Sequence, residues 1–290
     1  MIYNFPRKKR IQITNYLTFS SPNPFSISVA TPGWNGKLYC STDAATWTEW
    51  TGTEVNATEE GGIYALYFAG AGNTKISGGS PYKWTLNGSN ISCTGNIESL
   101  LDYETVAAGQ HPALADSCYN SMFRDCTSLT TAPSLPATTL ATRCYYSMFY
   151  GCTSLTTAPS LPATTLATHC YSYMFYGCTS LTTAPSLPAT TLADYCYSYM
   201  FRSCTSLTTA PSLPATTLAT NCYYFMFFYC TSIKLAISKS YEYDKEYRIP
   251  KSGNGVTATS ALNNMFRLTG GTFTGTPSIN TTYYTSNTIV

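Results

Sequence analysis

Charge is what this sequence has least of. Only 10% of its 290 residues are Asp, Glu, Lys or Arg, where an ordinary soluble domain carries about 25%. The net charge of +2 offers no general attraction for nucleic acid. The one basic run, Arg7-Lys8-Lys9-Arg10, reads as an arm that docks on an acidic partner rather than as an RNA or membrane patch. Histidine is nearly missing too: His111 and His169 are the only two, and no Cys-x-x-Cys accompanies them, so no metal site is expected. There is no Gly-x-Ser-x-Gly turn, no phosphate loop and no paired carboxylate within the repeats described below. These absences point away from an enzyme, and no cofactor is implied. No apolar run reaches the roughly 18 residues that a membrane-crossing helix needs. The basic start is not followed by an apolar stretch, so no secretory signal is expected.

What the chain does have is hydrophobic residues (44%), 25 tyrosines, 12 cysteines and a repeat. Cys118, Cys144, Cys170, Cys196 and Cys222 recur every 26 residues, as do Cys126, Cys152, Cys178, Cys204 and Cys230. Four consecutive units carry the same stretch, Cys-Thr-Ser-Leu-Thr-Thr-Ala-Pro-Ser-Leu-Pro-Ala-Thr-Thr-Leu-Ala. A period of this length belongs to leucine-rich-repeat solenoids. Leu140, Cys144, Met148 and Cys152 stand four apart and read as one helical stripe, widened by Phe149. Ser154 to Ala158 reads as a short strand ended by Pro159. The expected fold is therefore an α/β leucine-rich-repeat solenoid, a parallel sheet backed by short helices. Its cysteines are expected to be reduced and buried on the stripe.

The expected organisation has three parts. Residues 1–96 hold all four tryptophans and alternating runs such as Phe25-Ser-Ile-Ser-Val29, the pattern of an N-terminal antiparallel β-sandwich-like domain. Residues 97–237 form the solenoid. Residues 238–290 supply an inserted loop and a terminal capping repeat marked by Met265-Phe266.

Because the units are nearly identical, the positions that differ between them are those that packing leaves free. One set precedes the first cysteine of each unit: Arg143, His169, Tyr195 and Asn221. A second set follows it and includes Tyr146, Tyr173, Tyr199 and Tyr224. A third follows each Met-Phe pair: Arg124, Tyr150, Tyr176, Arg202 and Phe228. Tyr, Arg and Asn are residues that recognition surfaces favour. The same tyrosines could equally shield stacked segments, ring half-buried and hydroxyl wet. The invariant Thr pairs on the opposite side, and the tryptophans of the N-terminal part, are further candidate contacts for a glycan.

The stretch Met-Phe-Tyr-Gly-Cys-Thr-Ser-Leu-Thr-Thr-Ala-Pro (148–159) resembles the BspA-like class of leucine-rich repeats, over about residues 97–237. The flanks 83–103 and 270–284 look like those of repeat proteins encoded by gut bacteria and their phages. That resemblance implies a non-catalytic protein that binds proteins or glycans outside the cell. Members exported by bacteria usually carry a signal or an anchor, which this chain does not show. The resemblance therefore implies a phage virion accessory protein, such as a head fibre, capsid decoration or tail adhesin, made in the host cytoplasm and contacting the host surface. Its partners would be capsid or tail proteins and a host cell-surface glycan or protein, with a homo-oligomer, such as a trimer, expected. The alternative is a bacterial or protist surface adhesin or interaction scaffold of the BspA-like type, located at the cell surface.

Overall fold

Residues 12–290 are described by the computed structural model; Arg7, Lys8, Lys9 and Arg10 lie outside the described residues. Alternation builds the first part. β1 (Leu17–Ser21) buries Leu17, Phe19 and Ser21 and leaves Thr18 and Ser20 half-exposed, the period-two pattern of a strand with one face on a core. It is followed by β2 (Ser26–Val29), β3 (Lys37–Ser41), β4 (Thr48–Glu49), β5 (Val55–Asn56), β6 (Thr58–Glu60), β7 (Ile63–Ala71), β8 (Trp84–Asn87) and β9 (Ile91–Thr94). One sheet runs β9-β1-β7-β3-β4, with β6 also on β7; a second runs β5-β2-β8; all these pairs are antiparallel. The two sheets meet through Phe19, Trp50, Phe68 and Trp84, whose neighbouring ring centroids lie 4.9–5.9 Å apart. The β-sandwich-like elements expected here are thus present, and Trp50 and Trp84 are core residues rather than a sugar platform. Gly70 is required where β7 crosses the turn Ile97–Leu100: a Cβ there would come within 1.6 Å of the Leu100 carbonyl oxygen.

β10 (Leu129–Thr131), in the first repeat, adds to β9 in parallel. Hydrogen bonding therefore runs without a break from the N-terminal sheet into the repeats, and one apolar cluster covers both.

The repeats themselves overturn the expected fold class. They do not form an α/β leucine-rich-repeat solenoid with a parallel sheet and short helices. The single α-helix among the described residues, α1 (Tyr103–Ala107), precedes them. The segments read as helices are chains of tight turns. In the unit of Cys144, five N–H groups bond back three residues: Cys144 to Ala141, Tyr146 to Arg143, Met148 to Tyr145, Tyr150 to Ser147 and Cys152 to Phe149, all at 3.1–3.2 Å. The alternate N–H groups leave the unit and bond to carbonyls 25 residues on: Arg143 to Thr168, Tyr145 to Cys170, Ser147 to Ser172, Phe149 to Met174 and Gly151 to Tyr176, at 2.8–3.1 Å. Every fourth residue is left-handed, as at Arg143 (φ 56°), Ser147 (φ 53°) and Gly151 (φ 72°). An α-helix keeps its donors within itself and has none of these positive φ values.

The spacing itself separates a chain of turns from a helix. An α-helix advances about 100° per residue, so side chains twelve apart diverge by roughly 120°. A strict step of four, Leu140-Cys144-Met148-Cys152, keeps one side only if each turn takes four residues. Tyr, Ser, Thr and Gly are also weak helix formers.

The expected strand half fails for another reason. After β10, the Thr-Thr segments pair through isolated parallel bridges rather than continuous strands: Thr131 to Thr157, Thr157 to Thr183 and Thr165 to Thr191. Thr182 N–H bonds to Thr156 at 3.3 Å, and Thr208 N–H to Thr182 at 3.0 Å. Beyond that, each unit has two prolines three residues apart, such as Pro159 and Pro162, which donate nothing to a ladder.

At the far end a four-stranded sheet closes the stack. Its members are β11 (Lys234–Ala236), β12 (Lys245–Ile249), β13 (Gly270–Gly271) and β14 (Thr281–Thr285), ordered β12-β14-β11-β13. Phe266 continues the repeat by stacking on Phe227 at 5.3 Å, and Tyr247 of β12 packs edge-on against it at 5.9 Å. The final residues also pair with a repeat: Val290 N–H bonds to Ala210 at 3.2 Å.

Candidate binding surface

A step of four sorts each run of turns into an inner and an outer side. In the unit of Cys144, the inner side takes Cys144, Tyr145, Met148, Phe149 and Cys152, all fully buried. Repetition converts each into a column. Tyr119, Tyr145, Tyr171, Tyr197 and Tyr223 stack at 5.5–5.9 Å with ring planes within 10°. Phe123, Phe149, Phe175, Phe201 and Phe227 stack likewise at 5.6–5.7 Å, with ring planes within 13°. The column begins against Trp84 and Phe19 and ends on Phe266.

The cysteines are free and buried, all 12 of them. The second cysteine of each unit has a specific bond. Cys152, Cys178, Cys204 and Cys230 Sγ donate to the carbonyls of Phe123, Phe149, Phe175 and Phe201 at 2.9–3.1 Å. Burial pushes these thiols far up from their ordinary range, and Cys126, Cys144 and Cys222 to about 12. They are inert donors, not nucleophiles.

The outer side is where the sequence-chosen residues fall. Arg143, His169, Tyr195 and Asn221 form one column, each left-handed with φ of 53–58°. Tyr173 and Tyr199 (φ 57° and 58°) belong to a second left-handed column with Phe225. The columns make one aromatic network. Arg124 sits 4.0 Å over the Tyr150 ring, Tyr150 stacks on Tyr176 at 4.5 Å, and Arg202 lies 5.3 Å beyond Tyr176. Tyr173 stacks on Tyr199 at 4.5 Å, and Tyr199 on Phe225 at 5.3 Å. Tyr146 touches both His169 and Tyr173, His169 stacks on Tyr195, and Tyr224 meets Tyr199 edge-on. Phe228 receives Arg202 at 4.6 Å. Every chosen residue except Arg143 and Asn221 joins this network.

Such a strip is limited in two ways in what it can contact. First, Tyr150, Tyr176 and Tyr199 each have neighbours from both adjacent units over their rings. A ligand therefore meets ring edges, hydroxyls and guanidinium groups rather than open faces. Second, the strip holds its groups neutral or cationic. Burial raises Tyr146, Tyr150 and Tyr199 above the ordinary tyrosine range. Burial, then the charge of Arg143, holds His169 below its usual 6.5. Arg202 lies among Tyr176, Tyr199 and Phe228 with no salt bridge among the described residues.

Sequence reasoning missed Arg267, which reaches the ring of Phe228 at 5.9 Å. The signal was present: Arg267 follows Met265-Phe266 as Arg124 follows Met122-Phe123. It also missed the depth of Glu98 beside His111 (2.7 Å), because neither lies in a repeated column of like residues.

No protein-family model, curated protein or solved structure matches this chain. Among the described residues, no cluster of three His, Cys, Asp or Glu is placed to hold a metal ion, and no helix is long and apolar enough to cross a membrane.

Proposed function

We propose that this is a non-catalytic binding protein that contacts its target through the outer strip of the repeats. The observation that carries this reading is the contrast between the two sides of the same turns. The inner columns repeat Cys, Tyr, Met, Phe and Cys from unit to unit, whereas the half-exposed outer columns exchange Arg, Tyr, His, Ser, Asn and Phe on the same backbone. A rigid frame with variable Tyr and Arg is the composition of a recognition surface. The setting that fits best is a phage virion accessory protein contacting a bacterial surface glycan or protein.

The test is adhesion of the labelled protein to a panel of gut-bacterial cells. Changing Tyr150, Tyr176 and Arg202 together to Ser should weaken adhesion at least about tenfold, because a single Tyr or Arg hot spot contributes about 2 kcal/mol or more and tenfold corresponds to roughly 1.4 kcal/mol. Undiminished adhesion by a folded variant would move the contact elsewhere. Capsid and tail genes beside the coding sequence are the outcome expected of the virion setting; secretion or cell-wall anchoring genes there would sink it.

A further inference from the structure

The column of small buried residues at Ala137, Ala163, Ala189 and Ala215 begins one unit earlier at His111, which is exposed. His111 cannot fill an alanine's place, and a pocket of about 340 Å³ opens there, between residues 111–114 and the Ala137–Ala141 segment. Its walls are mostly apolar: Pro112, Leu114, Ala137, Leu140 and Ala141, with Thr138 and Thr139 among them. Glu98 also lines it, with its side chain fully buried. One carboxyl oxygen, Oε2, lies 2.7 Å from His111 Nδ1. The other, Oε1, is buried and has no hydrogen-bond partner. Tyr145 Oη, in the neighbouring column, is likewise buried and unpartnered.

A buried carboxyl oxygen without a donor is destabilising, and more so if it is charged. We propose that this pocket binds a primary ammonium group carried on a short alkyl chain. The ammonium would donate to Glu98 Oε1, and the alkyl chain would lie against Leu114, Leu140 and the alanines. The volume lies at the lower end of small-ligand pockets, which are commonly apolar with a few placed polar groups. An ammonium suits this polar end because it supplies three donors and positive charge to a buried carboxyl oxygen that has no donor of its own. A free small amine and a lysine side chain of a partner protein share this chemistry. The site is independent of the outer strip.

The test uses the whole chain with methyl-labelled Leu, titrated with n-butylammonium, 1-butanol, and a blocked Gly-Lys-Gly peptide, following the Leu114 and Leu140 methyl resonances. Saturable shifts with butylammonium, at least tenfold weaker with butanol and at least tenfold weaker in Glu98→Gln, are expected. Shifts with the peptide would identify a lysine side chain as the source; their absence would restrict the site to free amines. Equal response to butanol, no saturation with butylammonium, or full retention in Glu98→Gln would overturn the proposal. If Glu98→Gln does not fold, the butylammonium-to-butanol ratio in the unaltered protein decides it. Adhesion of the Tyr150, Tyr176 and Arg202 variant is read separately, so either idea can fail alone.

Discussion

Single residues here act through the state in which the core holds them. The thiol of Cys178 donates a hydrogen bond to the carbonyl of Phe149, and it can do so only while protonated. Burial raises all the repeat thiols, and with them the stacked tyrosines such as Tyr171. In an unfolded chain a thiol titrates near about 8.5 and a tyrosine near about 10. The folded state therefore keeps protons that the unfolded state releases. Its stability is intact below roughly pH 8.5 and falls as pH rises through the window between the unfolded and the raised folded values. Thermal melting should accordingly be flat from about pH 7 to 8 and drop by several degrees by about pH 10.5. A flat profile through pH 10.5 would mean that these groups are solvated. The cysteines were legible in the sequence as core filler, since they share a stripe with Met within each unit and lack metal-ligand spacing. Their bond to a carbonyl of the preceding unit was not, because nothing local in the sequence reveals which acceptor faces them.

At the scale of the element, the decisive quantity is the period. A spacing of four lies close to the helical 3.6, and the difference decides whether backbone donors close within the segment or reach the next unit. The left-handed residue in every fourth position is the mark of the turn chain. Gly177 holds φ of 72°, and a Cβ there would meet nothing nearer than Gly151 Cα at 3.9 Å. Space is therefore not the constraint; conformation is. Gly177→Ala should destabilise by roughly 1 kcal/mol, and Gly177→Asn by less, as Asn tolerates this region better. Urea unfolding of the two variants checks this order. Equal stability of the Ala variant and the unaltered protein would mean that this residue leaves the left-handed region. Tyr173, Tyr199 and Phe225 occupy equivalent strained positions. Their rings stack across units, and such pairs contribute about 0.5–1.5 kcal/mol each, the same order as the strain.

For the whole molecule, the repeat makes length adjustable while the ends are not. Removing residues 153–178 joins Cys152 to Thr179 in register and takes out one ring from each stacked column. The shortened protein should still unfold in one cooperative transition, with a smaller dependence on urea because less surface is exposed. Removing residues 153–165 instead should leave it unfolded or aggregated, because the turn half of one unit would then face the Thr-Pro half of the next. Circular dichroism and urea titration distinguish the two. The ends differ because they are hydrogen-bonded into sheets: β10 continues β9 at one end, and β11 to β14 close the other.

Sequence alone determined the unit, its register, the buried columns and which positions vary, because a repeat compares itself with its own copies. It also placed the sandwich-like strands, whose period of two is local. Tertiary structure alone decided that the turn segments hydrogen-bond between units rather than within them, since acceptors 25 residues away lie outside any local pattern. It likewise decided that the outer rings spend their faces on one another, and that Glu98 is buried with one carboxyl oxygen on His111 and the other without a donor.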